Sequence, residues 1–264
     1  MIFIGIGLLL VAVIAFFGMS HARSELHAMI AAETLPVSEL KMLRKASDDV
    51  GGQGSFRKEC EVVGAAEPLP TGSLKSELTG TECVWFRYRI EREYEHVTVR
   101  DNRRHVSKRT EQLVDHSSEQ GYAIRDDAGE LILVEPNGLK PDQPEQVLKS
   151  YEPARGGVAE GGGGLGSALV RLVGSRMAGS GGTIGHRYTE WVVRPGQRLY
   201  VLGEVNDRRG ELSIARPEKG HFIISTRSEE ELRAARTTTH KIMRIGIFAA
   251  VPLGIILIIA GAIG

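Results

Sequence analysis

Histidine is the side chain best suited to metal or acid–base chemistry near neutral pH, and this sequence has eight of them. His96 and His105 flank a predicted hairpin turn, where two strands could hold a metal ion between them. Neither has a carboxylate or cysteine partner at metal-ligand spacing, which favours solvent-exposed histidines. The charged residues from 87 to 95 indicate a solvent-facing strand with cross-strand ion pairs rather than catalytic carboxylates. We therefore predict no catalytic residue and no metal ligand.

Motifs of the common catalytic and nucleotide-binding classes are missing from the sequence. It contains no G-x-S-x-G nucleophile elbow, no H-E-x-x-H zinc motif and no phosphate loop ending in Lys-Ser or Lys-Thr. We therefore predict no cofactor. Cys60 and Cys83 are too few for a disulfide framework or a cysteine-rich zinc site, and they permit one disulfide or two free thiols.

Composition excludes two broad classes of protein. Lysine plus arginine total 33 and aspartate plus glutamate total 33, whereas an electrostatically driven nucleic-acid binder carries a basic excess. We therefore expect no nucleic-acid partner. A hydrophobic content of 42% and a charged content of 25% are typical of a folded chain and exclude disorder throughout. The 32 glycines and the preference for arginine over lysine favour a GC-rich, bacterial genome.

Two uninterrupted apolar runs, residues 1–19 and 245–264, predict membrane-spanning helices. At about 1.5 Å per residue, each is long enough to cross roughly 30 Å of hydrocarbon. The first run has no basic residue before it and exceeds the usual apolar core of a signal peptide, which favours a retained anchor. The charged residues before the second run are unlike the polar spacer of a lipid-anchor signal. We expect a multi-pass cell-membrane protein with two spans, for which the bilayer is a partner.

Basic residues near the spans all lie on the side of the central region. They are Arg23, Arg233, Arg236, Lys241 and Arg244. The positive-inside rule therefore predicts a cytoplasmic central region, with both termini outside.

Small residues in the second span are spaced for helix packing. Gly246, Ala250 and Gly254 recur every four residues, a spacing that lets another helix approach closely in lipid. The packing partner could be the first span or a second copy of the same helix in a homo-oligomer.

The central region, residues 20–240, predicts an α+β fold in which antiparallel strands predominate. Alternation of apolar and charged residues over 84–99 predicts a half-buried strand, and a polar turn leads into its partner. Short turns within 188–215 predict a meander of antiparallel neighbours. The segment 156–182 is predicted to be a glycine-rich loop, in preference to a helix on the membrane surface.

Helix-capping signals mark two helix starts in this region. Ser38 is the predicted N-cap of a short helix after the first span. The sequence Ser-Glu-Glu-Glu at 228–231 is a capping box, and the helix that it starts is predicted to continue into the second span.

Two sequence blocks resemble the GIDE family. The segment GSLKSELTGTECVWFRY at 72–88 is similar to the family pattern L-x-S-x-L-T-G-T-E-C-V-[YW]-[YF]-R, and the stretch 188–204 is similar to a later family block. The order of membrane helix, β-rich domain and membrane helix also matches, so the resemblance covers essentially the whole chain. The residues that carry it are Gly80, Glu82, Cys83, Trp85, Glu190 and Gly203.

The resemblance implies a connection with ubiquitin transfer, because the best-known GIDE proteins are RING-type E3 ubiquitin ligases of the mitochondrial outer membrane. In those ligases a zinc-binding RING follows the second span, whereas this sequence ends at Gly264 and contains no C-x-x-C. We expect a RING-less member whose membrane-side domain is a non-catalytic scaffold or sensor for an unknown protein or ligand. The alternative is a ligase-like protein that depends on a RING from another chain. In the ligases this domain faces the intermembrane space, which opposes a cytoplasmic placement.

Overall fold

The computed structural model describes residues 2–100, 103–154 and 182–263. Its helices are α1 (Ile2–Ala31), α2 (Val37–Gly51) and α3 (Glu229–Ile263). The strands of the described residues are β1 (Arg57–Glu67), β2 (Leu74–Lys75), β3 (Glu82–Cys83), β4 (Trp85–Arg100), β5 (Arg103–Ser117), β6 (Tyr122–Arg125), β7 (Leu131–Val134), β8 (Glu145–Pro153), β9 (Thr183–Val193), β10 (Arg198–Asn206), β11 (Ser213–Ala215) and β12 (Ile223–Ser225). The predicted glycine-rich loop lies outside the described residues, except for Gly182.

Five strands close into a barrel. β1 pairs with β6, β6 with β7, β7 with β11, β11 with β10, and β10 pairs with β1 to close the ring. A further short strand, β12, also pairs with β10, next to β11. All of these pairs are antiparallel except β7 with β11. Around the barrel the strands follow the order β1, β6, β7, β11, β10. The fifth barrel strand in the chain, β11, therefore lies between the third and the fourth, which is the arrangement of the OB-fold barrel. The predicted α+β class with mainly antiparallel strands is confirmed, and the parallel pair was not predicted.

A second sheet, in the order β5-β4-β9-β8, carries the long hairpin that alternation predicted. The predicted meander is wrong at its first turn, because β9 and β10 belong to different sheets. Val192 is buried in the second sheet and the adjacent Val193 in the barrel core, so the chain passes between the two cores here. Turn residues Gly196 and Gln197 instead bond to the backbone of Ala66 in β1.

The outer helices are long and apolar enough to cross a membrane, over Phe3–Ala31 and Glu229–Ala262. Only 11% and 6% of their most apolar windows are buried within the chain, which distinguishes them from the core helices of a soluble domain. The capping box is confirmed, since Ser228 and Glu231 exchange hydrogen bonds of 3.3 Å, and α3 continues without interruption into its apolar segment.

The two cysteines are free thiols in separate cores, Cys60 in the barrel and Cys83 in the second sheet. Burial raises the pKa of Cys60 to about 12 and that of Cys83 to about 11. Both are therefore protonated and unreactive near neutral pH.

Candidate functional site

Helix α2 lies against the barrel because Val37 and Leu40 are buried in the barrel core. The prediction of Ser38 as its N-cap is wrong, since the helix already begins at Val37 and Pro36 occupies the cap position without a side-chain cap. Asp126 replaces the cap, and its Oδ2 accepts a hydrogen bond of 2.9 Å from the Val37 backbone N–H. The turn between β6 and β7 therefore positions the start of α2.

A groove of about 540 Å³ opens between α2 and the barrel. β6 and β7, the loop after β1 and the turn between β10 and β11 form its floor. Strands two and three of an OB-fold, with the loops 1–2 and 4–5, are the surface on which such barrels bind ligands. The apolar lining residues are Leu69, Pro70, Ala123, Leu131, Ile132, Leu133 and Leu212.

The wall of the groove that α2 provides is basic. Lys41 pairs with Glu130. Arg44 donates a hydrogen bond of 2.7 Å to the Gly210 carbonyl, and its Nε lies 3.3 Å from the buried Asp207 carboxylate. Lys45 is exposed and forms no ion pair with the described residues. This wall therefore retains a cation that is available to a bound group.

A second feature, the Glu190 site, joins the two sequence blocks that resemble the GIDE family. Glu190 on β9 is fully buried. Its carboxylate accepts hydrogen bonds from the Ser76 hydroxyl at 3.0 Å and the Leu78 N–H at 2.8 Å. It also accepts bonds from the Thr79 N–H at 3.0 Å and the Thr79 hydroxyl at 2.6 Å. One carboxylate thus holds the turn between β2 and β3 onto β9, which makes it a structural group.

The other family-motif residues near this turn also lie at structural positions. Gly80 has a φ of +68° in the turn, a conformation that favours glycine. Glu82 is exposed on β3 and its side chain forms no hydrogen bond or ion pair with the described residues, whereas Cys83 is buried. Trp85 is 1% exposed in the barrel core. A Cβ on Gly203 would lie 2.7 Å from a carbonyl oxygen of β11.

The residues predicted for helix packing occupy three different environments on α3. Gly254 is buried, and a Cβ added there would lie 3.1 Å from the carbonyl oxygen of Gly5 on α1. Ala250 is half-buried, while Gly246 is exposed, and a Cβ added there would meet no atom within 4 Å among the described residues. Of the two partners left open by the sequence, α1 is therefore the neighbour of Gly254.

The two outer helices join the barrel through a small apolar cluster. Its buried members are Met29, Tyr200, Leu202, Ile223 and Leu232. Arg233 adds a hydrogen bond of 2.7 Å to the Met29 carbonyl, and Arg236 pairs with Glu25 at 2.8 Å. The apolar cluster fixes the base of the helix pair to the sheet, and the two arginine contacts join α3 to α1.

Glu61 lies at the same junction and was missed in the sequence. It is 1% exposed and accepts hydrogen bonds from the hydroxyl groups of Tyr200 and Thr34. Burial raises its pKa above the ordinary value, although both hydrogen bonds oppose this shift. In β1 it follows a run of charged residues, so its burial could not be recognised from local pattern.

Among the described residues, no group of three histidine, cysteine or acidic side chains could hold a metal ion. His96 is partly buried and His105 is exposed, and across the hairpin they pair with Ser107 and Thr98, respectively, rather than with each other. The predicted cross-strand ion pairs are present, as in Arg87 with Asp115 at 2.6 Å.

Comparison with protein families gives a match, over residues 91–260, to the GIDE family, described as E3 ubiquitin ligase. The chain belongs to the GIDE family. The matched part of this GIDE protein runs from within β4 into α3 and contains Glu190 and Gly203, whereas the block at 72–88 precedes it. Comparisons with curated proteins and with solved structures gave no match.

Proposed function

We propose that this GIDE protein is a membrane-anchored binding module, a scaffold or sensor without catalysis of its own. The groove between α2 and the barrel is the observation that carries this proposal. Its volume of about 540 Å³ falls within the roughly 300–1,000 Å³ of known ligand sites, and its mainly apolar lining with a few polar groups is typical of them.

Anchoring through α1 and α3 would keep this groove close to a bilayer. We further propose that the central domain faces the cytoplasm of a bacterial cell, in line with the basic residues at the inner ends of the spans. A Ser107→Cys variant tests this side, because Ser107 is exposed and both native cysteines are 0% exposed. An impermeant thiol reagent should label it only after lysis. Labelling in intact cells would place the domain outside.

Binding at the groove is tested by replacing Leu131 with a photoreactive diazirine analogue of leucine in living cells. Leu131 lines the groove and is 43% exposed, and the analogue is close to leucine in size, so the groove should stay open. A matched control carries the analogue at Lys149, an exposed position on β8. We expect an adduct, of either a small molecule or a protein, at 131 and not at 149. Equal adducts at the two positions, or none, would contradict the proposal.

A ligase-like role is the second candidate, and the description of the matched family favours it. In this version the chain would depend on a RING supplied by another protein. Purified chain should then bind no zinc and discharge no ubiquitin from a loaded conjugating enzyme unless a RING protein is added. Discharge by the chain alone would refute the non-catalytic proposal.

A further inference from the structure

We infer that the groove binds an amphipathic molecule with an aliphatic chain and an anionic head group, the chemistry of a long-chain carboxylate. This inference rests on the proposed function and names the ligand class for the same site. It follows from the kind of apolar residue in the floor, from the charge of the wall, and from the place of α2 in the chain.

The floor of the groove favours an aliphatic ligand. Its apolar lining consists of leucine, isoleucine, alanine and proline, with no aromatic ring among the described residues that line it. OB-folds that bind single-stranded nucleic acid use aromatic side chains as stacking platforms for bases. A floor of branched aliphatic side chains offers no such platform, but it can bury a hydrocarbon chain by the hydrophobic effect.

The charge of the lining favours an anionic head group. The lining contains three basic residues, Lys41, Arg44 and Lys45, and two acidic residues, Asp48 and Glu211. Asp48 lies 3.8 Å from the Nε of Arg44, and Lys41 is already paired outside the lining. Lys45 forms no ion pair with the described residues, so its charge is not neutralised by a neighbouring acid. It is therefore the residue best placed to bind a carboxylate or phosphate at the rim of the groove.

The position of α2 links the groove to the bilayer. Only residues 32–36 separate the end of α1 from the start of α2, so the basic wall directly follows a helix able to span a membrane. A lipid-like ligand could come from either of two sources, as a free fatty acid or as an anionic phospholipid of the bilayer. The two share an apolar chain and an anionic head group.

The experiment uses the full chain in phosphatidylcholine nanodiscs and a palmitate analogue that carries a diazirine and an alkyne. After irradiation, the labelled peptides are identified by mass spectrometry. Unlabelled palmitate and hexadecylamine serve as competitors of equal chain length and opposite charge. A parallel set of nanodiscs contains phosphatidylglycerol, which should compete with the probe only if bilayer lipids reach the groove.

Two variants separate the contributions of the floor and the wall. Leu131→Trp fills the groove and should reduce labelling at least tenfold. Lys45→Glu reverses the rim charge and should reduce it about two- to fivefold, the size expected for an exposed ion pair. Both positions are exposed, so unfolding temperatures should stay close to wild type. Lys149→Glu is the matched control, since this exposed lysine lies on β8 and outside the groove lining.

We expect label on peptides from α2 and β7, displaced by palmitate and not by hexadecylamine. Label confined to α1 and α3, or equal displacement by both competitors, would overturn the ligand class. If palmitate does not bind while the photoreactive group at Leu131 captures a protein, the binding module stands and this inference fails. If neither binds, both fail.

Discussion

Replacing Glu190 with glutamine tests whether the two family blocks form one folded unit. Glutamine has almost the same shape, but it has one acceptor oxygen where glutamate has two. One carboxylate oxygen accepts three hydrogen bonds, from Ser76 and from the backbone and hydroxyl of Thr79. The other accepts the Leu78 N–H at 2.8 Å. The amide oxygen should retain the three-bond position, which leaves the amide nitrogen facing the Leu78 N–H.

The expected cost follows from these contacts. A hydrogen bond to a charged group contributes about 1.5–3 kcal/mol, and a buried donor left without a partner costs about 1–3 kcal/mol. Because Glu190 is fully buried, water cannot replace the lost acceptor. We expect Glu190→Gln to lower the free energy of unfolding by about 3 kcal/mol. In a domain of this size, that loss lowers Tm by about 6–12 °C.

Thermal unfolding of the full chain in nanodiscs, followed by tryptophan fluorescence, measures this shift, because Trp191 is adjacent to the substituted residue. Glu82→Gln is the matched control. Glu82 belongs to the same sequence block but is exposed, and its side chain has no hydrogen bond or ion pair with described residues. Its replacement should change stability by no more than about 0.5 kcal/mol. Equal Tm values for the two variants would refute the structural role of Glu190.

Three further substitutions test other parts of the fold. Gly203→Ala places a methyl group 2.7 Å from a barrel carbonyl and should cost about 1–3 kcal/mol in denaturant unfolding. A Cβ added at Gly182 would meet no atom within 4 Å among the described residues, so Gly182→Ala should be neutral. Gly254→Leu should separate α3 from α1 and lower Tm in nanodiscs, and Gly246→Leu should not; the reverse order would exclude this helix contact. Burial raises the pKa of Glu61, so wild type should lose stability as pH rises above about 4.5. The free energy of unfolding of the wild type should therefore fall with pH relative to that of Glu61→Gln. A difference between the two proteins that is independent of pH between 4 and 8 would disprove this prediction.

Local pattern predicted the elements whose structure is determined locally. The β4–β5 hairpin follows from alternation around a polar turn, and the two outer helices follow from apolar runs. The path from β9 to β10 was not predictable, because a short turn normally joins antiparallel neighbours. Here Val192 and Val193 belong to different cores, so long-range packing overrides the local rule.

The binding groove and the Glu190 site differ in how much of them the sequence predicts. Resemblance to the family singled out Glu190, but its role depends on hydrogen bonds to residues more than 100 positions away. The groove brings Lys45 on α2 together with Leu131 on β7, although one occurs in an amphipathic helix and the other in a short apolar strand. No local sequence pattern predicts that these two segments lie side by side, because the closure of the barrel brings them together.

Native mass spectrometry of the full chain, released directly from the membranes in which it was made, tests the binding-module function most directly. We expect the wild-type chain and Lys149→Glu to retain a bound species and Leu131→Trp to lose it, since only the last substitution fills the groove. A bound species retained equally by all three proteins, or absent from wild type, would contradict binding at this groove.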